Sequence, residues 1–142
     1  MKGVQLFDWE VSYLEKEIDM QKLLFITGSV LGAIGVILGT FGAHAFKSIL
    51  ETNQRIATFE TAVKYHFFHV VALFIVGFLL DKYPSKLLTY SGIFFTIGIL
   101  LFSGSLYILS LSNQTKWGAI APFGGLAFVL GWVLILIAVL KN

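Results

Sequence analysis

The side chains best suited to chemistry fall between Glu60 and His69, in the run Glu60-Thr61-Ala62-Val63-Lys64-Tyr65-His66-Phe67-Phe68-His69. Thr61, Tyr65 and His69 are spaced by four, which at about 100° per residue keeps them within an arc of roughly 80° on a helix, with His66 roughly 60° beyond. Together with Ser103 and Ser105 from elsewhere in the chain, they describe a candidate polar groove. An imidazole in such a groove can relay protons. It can equally serve as a hydrogen-bonding tie between helices. The second role is the one expected of His69, with Tyr65, Ser103 or Ser105 as its partner. Glu60 and Lys64 have the i, i+4 spacing of a helical ion pair, and they are expected to pair at the rim, where long side chains reach water.

Other chemistries find less support. His44, His66 and His69 are the only imidazoles, and no cysteine or further buried carboxylate completes the three or four ligands a metal site needs. Phe102-Ser103-Gly104-Ser105 is not a nucleophile elbow, and no aspartate accompanies the histidines. The absence of cysteine also rules out disulfides and thiol catalysis. The expectation is therefore a protein that is not an enzyme and takes no metal or other cofactor. A formal charge of +2 without a Lys/Arg cluster does not mark a nucleic-acid surface.

Whatever these residues do, apolar helices must position them. The chain is 57% hydrophobic and 13% charged, against about 45–50% and about 25% in soluble domains. Residues 23–43, 87–111 and 118–140 carry no charge at all. Each run provides the roughly 20 residues that cross about 30 Å of hydrocarbon. Residues 58–80 form a further span whose first half is polar, and His69 lies about 13 Å deeper than Glu60 at 1.5 Å per residue. The fold class is thus all-α, a four-span transmembrane bundle, with spans at about 23–43, 58–80, 87–111 and 117–140. Asp81–Ser85 and Ser112–Lys116 are links short enough to force antiparallel neighbours. Ser85 is the expected N-cap of the third span. The longer stretch from Phe46 to Ala57 reads as an amphipathic interfacial piece, and Tyr83 and Trp117 read as interfacial anchors.

Glycines predict how the spans pack. Gly28, Gly32, Gly35, Gly39 and Gly42 alternate steps of four and three, leaving one face of the first span without side chains. Helices in a bilayer associate through the close backbone approach that small residues allow, so this stripe predicts that the first span is the buried hub. Ser91, Gly98 and Ser105 form a small-residue stripe on the third span. The fourth carries two, Gly118, Ala121, Gly125 and Gly124, Ala127, Gly131.

Before the first span, Phe7, Val11, Leu14 and Ile18 make a helical stripe among Asp8, Glu10, Glu15, Glu17 and Asp19. An acidic helix is a poor anchor for anionic lipid, so residues 1–19 read as an acidic extension that faces water or a partner, or as sequence upstream of a start at Met20. Residues 20–142 form the single membrane domain. Ala43-His44-Ala45 has the form of a signal-cleavage site, but the apolar run before it is too long and its flank too acidic for a signal peptide, so a retained helix is expected. Counting Lys and Arg over the whole chain gives six against four and the expectation that both termini are cytoplasmic, whereas a start at Met20 makes the count four against four. The whole-chain arrangement puts Lys2, Lys16, Lys22, Lys82, Lys86 and Lys141 inside, and Lys47, Arg55, Lys64 and Lys116 outside.

Four motifs in order carry a family resemblance: Gly39-Thr40-Phe41-Gly42-Ala43-His44-Ala45; Glu60 to Tyr65 with His69; Phe102-Ser103-Gly104-Ser105-Leu106-Tyr107; and Gly118 to Gly125 with Gly131-Trp132. They resemble the YgdD/YwdK-like proteins, the domain of unknown function 423, which includes the eukaryotic transmembrane-protein-256 type. The resemblance runs from about Met20 to Leu140 and implies a four-span inner-membrane protein of unassigned activity, with no catalytic residues to carry over. Members of that family usually begin near Met20, and a glutamine often stands where this chain has His66. The partners expected are the lipid bilayer and either a membrane-protein partner or further copies of the chain. An interacting helical bundle is the leading functional expectation, and a small transporter or channel subunit is the alternative.

Overall fold

The computed structural model describes residues 2–141, with side chains described from residue 19 onward apart from Ser12. The side chains of the stripe Phe7, Val11, Leu14, Ile18 and of its acidic neighbours Asp8, Glu10, Glu15 and Glu17 therefore lie outside those described. The elements are α1 (Lys2–Ala43), α2 (Lys47–Thr52), α3 (Ile56–Lys82), α4 (Lys86–Gly98), a π-helical segment (Ile99–Ser103), α5 (Gly104–Ser112), a 3-10 turn (Thr115–Ala119) and α6 (Ala121–Lys141), with no strand among the described residues. Among the described residues four stretches are long and apolar enough to cross a bilayer: Asp19–Ala43, Ile56–Lys82, Lys86–Ser112 and Thr115–Lys141. The ranges expected from hydropathy fall inside them. Outward faces carry Val36, Phe68, Phe78, Leu100, Phe123 and Leu140, each more than half exposed, a surface that lipid solvates and water does not.

Helix boundaries follow local chemistry. Pro84 disfavours helical geometry at Tyr83, which ends α3. Ser85 then accepts a hydrogen bond from the Leu87 N–H at 3.2 Å, capping α4 as its type predicts. The link after α5 turns on Asn113, which adopts the left-handed conformation at φ 55°, a residue type that tolerates it. Pro122 stands at the second position of α6, within the first turn, where a missing N–H costs nothing. The Phe46–Ala57 stretch contains α2, whose Leu50 is buried. Just beyond it, the Asn53 amide donates to the carbonyls of Ser110 and Leu111 at 2.9 and 3.1 Å, groups that the end of α5 leaves free.

The five glycines of the first span all face α3. A Cβ placed at Gly28, Gly32, Gly35, Gly39 or Gly42 meets Phe74, Val70, Phe67, Val63 or Phe59 first. As one number rises the other falls in step, which is an antiparallel register. The expectation that this span is the hub is overturned. Only 22% of its apolar window is buried, against 44% for Ile56–Lys82 and for Lys86–Ser112. A one-sided stripe admits one close neighbour, whereas a hub needs neighbours on several sides. That position belongs to α3, which packs on α1, α4, the π segment and α5.

The fourth span docks on the third through its second small-residue stripe. Gly131 receives Phe95, Ala127 is buried, and Gly124 meets the main chain of Phe102. The reverse contact is Gly98, which receives Phe128. Ser91 completes the seam by donating to the Gly131 carbonyl at 2.9 Å. Of the other stripe, Gly118 and Gly125 make only ordinary contacts, with Leu109 and with the Phe102 ring. Gly77 and Gly92, which the stripes passed over, admit Phe25 and Leu24 of the first span.

Candidate functional site

Helix α3 carries both deep histidines, buried at 2% and 4% exposure, and sends them to different neighbours. His66 turns towards α1 and α5. Its Nε2 lies 2.9 Å from the Leu31 carbonyl, and its Nδ1 lies 3.2 Å from the Tyr107 hydroxyl. A carbonyl only accepts, so Nε2 carries the proton and Nδ1 accepts from Tyr107, an assignment made from the partners. The approach to Leu31 passes Gly35, one turn along α1, where even a Cβ would stand 3.5 Å from the imidazole.

His69 has the opposite tautomer. Its Nδ1 donates to the Tyr65 carbonyl at 2.8 Å, and its Nε2 accepts from the Trp132 indole at 3.3 Å. The indole N–H can only donate, which leaves Nε2 as the acceptor. The imidazole lies flat on Phe128, with centroids 3.4 Å apart and planes 7° from parallel. Phe95 and Trp132 approach at 5.4 and 6.2 Å. This aromatic cluster joins α3 to α4 and α6.

The six residues expected to form one polar groove are therefore distributed over separate contacts. Thr61 bonds back to the Ala57 carbonyl at 2.8 Å. Tyr65 offers His69 its carbonyl, while its ring packs on Phe102 at 4.8 Å. Ser105 donates to the Phe102 carbonyl at 3.0 Å. Ser103 is fully buried, and its hydroxyl has no hydrogen-bond partner among the described residues. Of the six, Tyr65 and His69 line one hollow together; a shared arc on an isolated helix says nothing about how neighbouring helices divide that arc. Tyr107, Trp132 and Phe128 are the partners that sequence reasoning missed. Tyr107 and Trp132 stand in the family-like motifs, which was the available signal.

At the rim, Glu60 and Lys64 do not form the expected ion pair. The ion pair found among the described residues joins Lys47 to Glu51 at 4.0 Å, both well exposed. An exposed i, i+4 pair gains only about 0.3–0.5 kcal/mol, so the spacing alone does not oblige Glu60 and Lys64 to close. Both residues instead line a cavity of about 390 Å³ formed by the ends of α1 and α3 with α2. A second hollow, about 790 Å³ and open to the side, lies between α3 and α6. Tyr65, Phe68, His69, Gly125, Phe128 and Trp132 are among the residues that line it. Among the described residues no three His, Asp or Glu side chains come together as a metal site would need.

Four apolar helices, tied to one another from within and apolar on their outer faces, define an integral membrane protein of the α-helical class. More narrowly, the chain belongs to the family described as "Protein of unknown function (DUF423)", which matches residues 38–125. It is 40% identical to the UPF0382 membrane protein YwdK of Bacillus subtilis (strain 168) over 121 residues, 84% of this chain and 98% of that protein. It is 36% identical to the UPF0382 membrane protein SH2409 of Staphylococcus haemolyticus, covering 84% of this chain and 97% of the relative. The UPF0382 inner membrane protein YgdD of Escherichia coli (strain K12) is 32% identical, over 84% of this chain and 91% of the relative. No solved structure matches the chain.

Proposed function

We propose that this protein is a non-enzymatic helical bundle of the inner (plasma) membrane that binds another membrane protein, and that it does so through the aromatic hollow between α3 and α6. That hollow is the observation that carries the reading. It is open at the apolar surface and lined by Gly125 beside aromatic rings, and so offers a partner helix the close approach on which association in lipid depends. Aromatic anchors such as Phe68 and Trp132, 60% and 45% exposed, are the side chains that dominate binding interfaces. The histidines favour this role over transport. Each is closed between a carbonyl acceptor and a donor on another helix, and the two serve different interfaces, whereas a relay needs a continuous polar path.

A photocrosslinking residue at Phe68 tests the reading in native membranes, with the same residue at Leu100, on another outward face, as control. A discrete adduct at position 68 alone, together with no proton or solute flux in proteoliposomes, is the expected result. Flux from the purified protein with no adduct would replace the proposal with the transport reading. Both termini are assigned to the cytoplasm, because that orientation keeps six of the ten Lys and Arg residues inside. A C-terminal reporter active only on the far side of the membrane would reverse the assignment.

A further inference from the structure

The cavity at the N-terminal end of α3 has a different chemistry. Its inner wall is the small-residue end of α1, Gly39 and Gly42, facing Phe59 and Val63, while Lys47, Glu60 and Lys64 also line it. Lys64 has no ion-pair partner among the described residues, and Lys47 has only Glu51, at the 4.0 Å limit of contact. The cavity thus joins an apolar slot to cationic groups at the depth where headgroups meet hydrocarbon. Two lysines and one glutamate leave its lining with one net positive charge, the complement of a single phosphodiester.

We propose that this cavity binds an anionic phospholipid, its phosphate held by Lys47 and Lys64 and one acyl chain lying along Gly39 and Val63. Basic pockets between transmembrane helices hold lipid headgroups in this way. The apolar slot selects a lipid over a free phosphate, which has no use for it. Lys47 and Lys64 set the headgroup preference and Glu60 limits it. The carboxylate repels a second negative charge, and it would attract the ammonium of a zwitterionic lipid, so its removal separates the two classes. The occupant here is lipid rather than protein, and the site lies at the N-terminal end of α3, whereas Trp132 meets that helix at His69, near its middle.

The test is native mass spectrometry of the purified full-length protein, titrated with phosphatidylglycerol and with phosphatidylethanolamine of identical chains. Wild type is expected to hold phosphatidylglycerol at least about fivefold more tightly. Lys47→Gln and Lys64→Gln, both at exposed positions, are each expected to weaken it about fivefold, from about 1 kcal/mol per lysine near a lipid headgroup. Glu60→Gln is expected to tighten it. Gly39→Leu is expected to weaken both lipids by filling the slot, since a Cβ there meets only Val63, at an ordinary 3.6 Å. Equal affinity for the two lipids, indifference to both lysine changes, or weakened phosphatidylglycerol binding in Glu60→Gln would overturn the proposal. So would displacement of the lipid by millimolar inorganic phosphate, which would show an anion site with no need of the slot.

Discussion

Gly124 and Gly125 are adjacent on α6, and the structure predicts opposite outcomes when each becomes alanine. At Gly124 a Cβ meets the amide nitrogen of Phe102, with the Phe102 Cβ and Cα at 2.7 and 2.8 Å. Those atoms belong to the π segment, and main chain held in a helix cannot swing aside as a side-chain tip can. At Gly125 the nearest atoms are the Phe102 ring carbons at 3.8 and 3.9 Å, which is ordinary contact. Alanine in a helix interior gains about 1 kcal/mol over glycine, and that gain applies at both positions. Overpacking costs about 1–3 kcal/mol, and immovable main chain places Gly124 in the upper part of that range. Gly124→Ala is therefore expected to lose about 1–2 kcal/mol net and Gly125→Ala to gain up to about 1, a separation of about 2–3 kcal/mol. Reversible unfolding in mixed detergent micelles, followed by far-ultraviolet circular dichroism, measures both. Equal stabilities, or a greater loss at Gly125, would refute the docking of α6 on the π segment.

Three further outcomes follow from the same contacts. In a double-mutant cycle of His69→Gln and Trp132→Phe, the coupling is expected near 0.6 kcal/mol with a ceiling of about 1.7, the range of hydrogen bonds between membrane helices; zero coupling in the unfolding assay would remove the tie. Gly35→Leu is expected to cost about 2–3 kcal/mol, because a Cβ there already stands 3.1 Å from the Phe67 ring and 3.5 Å from His66, whereas Ile37→Leu, at a position 52% exposed, should stay within about 0.5; matching detergent stabilities would contradict the stripe. Ser103→Ala removes a buried hydroxyl that has no partner among the described residues, so it is expected to stabilise by up to about 1–2 kcal/mol, and a marked loss of melting temperature would mean that the hydroxyl is bonded.

The four spans were legible from the sequence because crossing a bilayer is a local property. Whether a stretch of some 20 residues is apolar enough to leave water depends on those residues alone, and so did the cap at Ser85. The glycine stripe of the first span was legible for the same reason, since spacing along one helix defines its bare face without reference to a neighbour. Which helix that face meets, and whether one such face makes a hub, depend on the other three spans. His69 shows the limit most clearly. Its depth followed from counting residues, and Tyr65, one of its expected partners, does meet it through a carbonyl one turn back on the same helix, yet Trp132 and Phe128 follow from how far α6 is rotated and slid against α3 and the π segment. Rotation and register are sums of many small packing terms over residues distant in sequence. Gly124 and Gly125 are the same residue in neighbouring positions, and only the main chain of Phe102 against one of them makes them different.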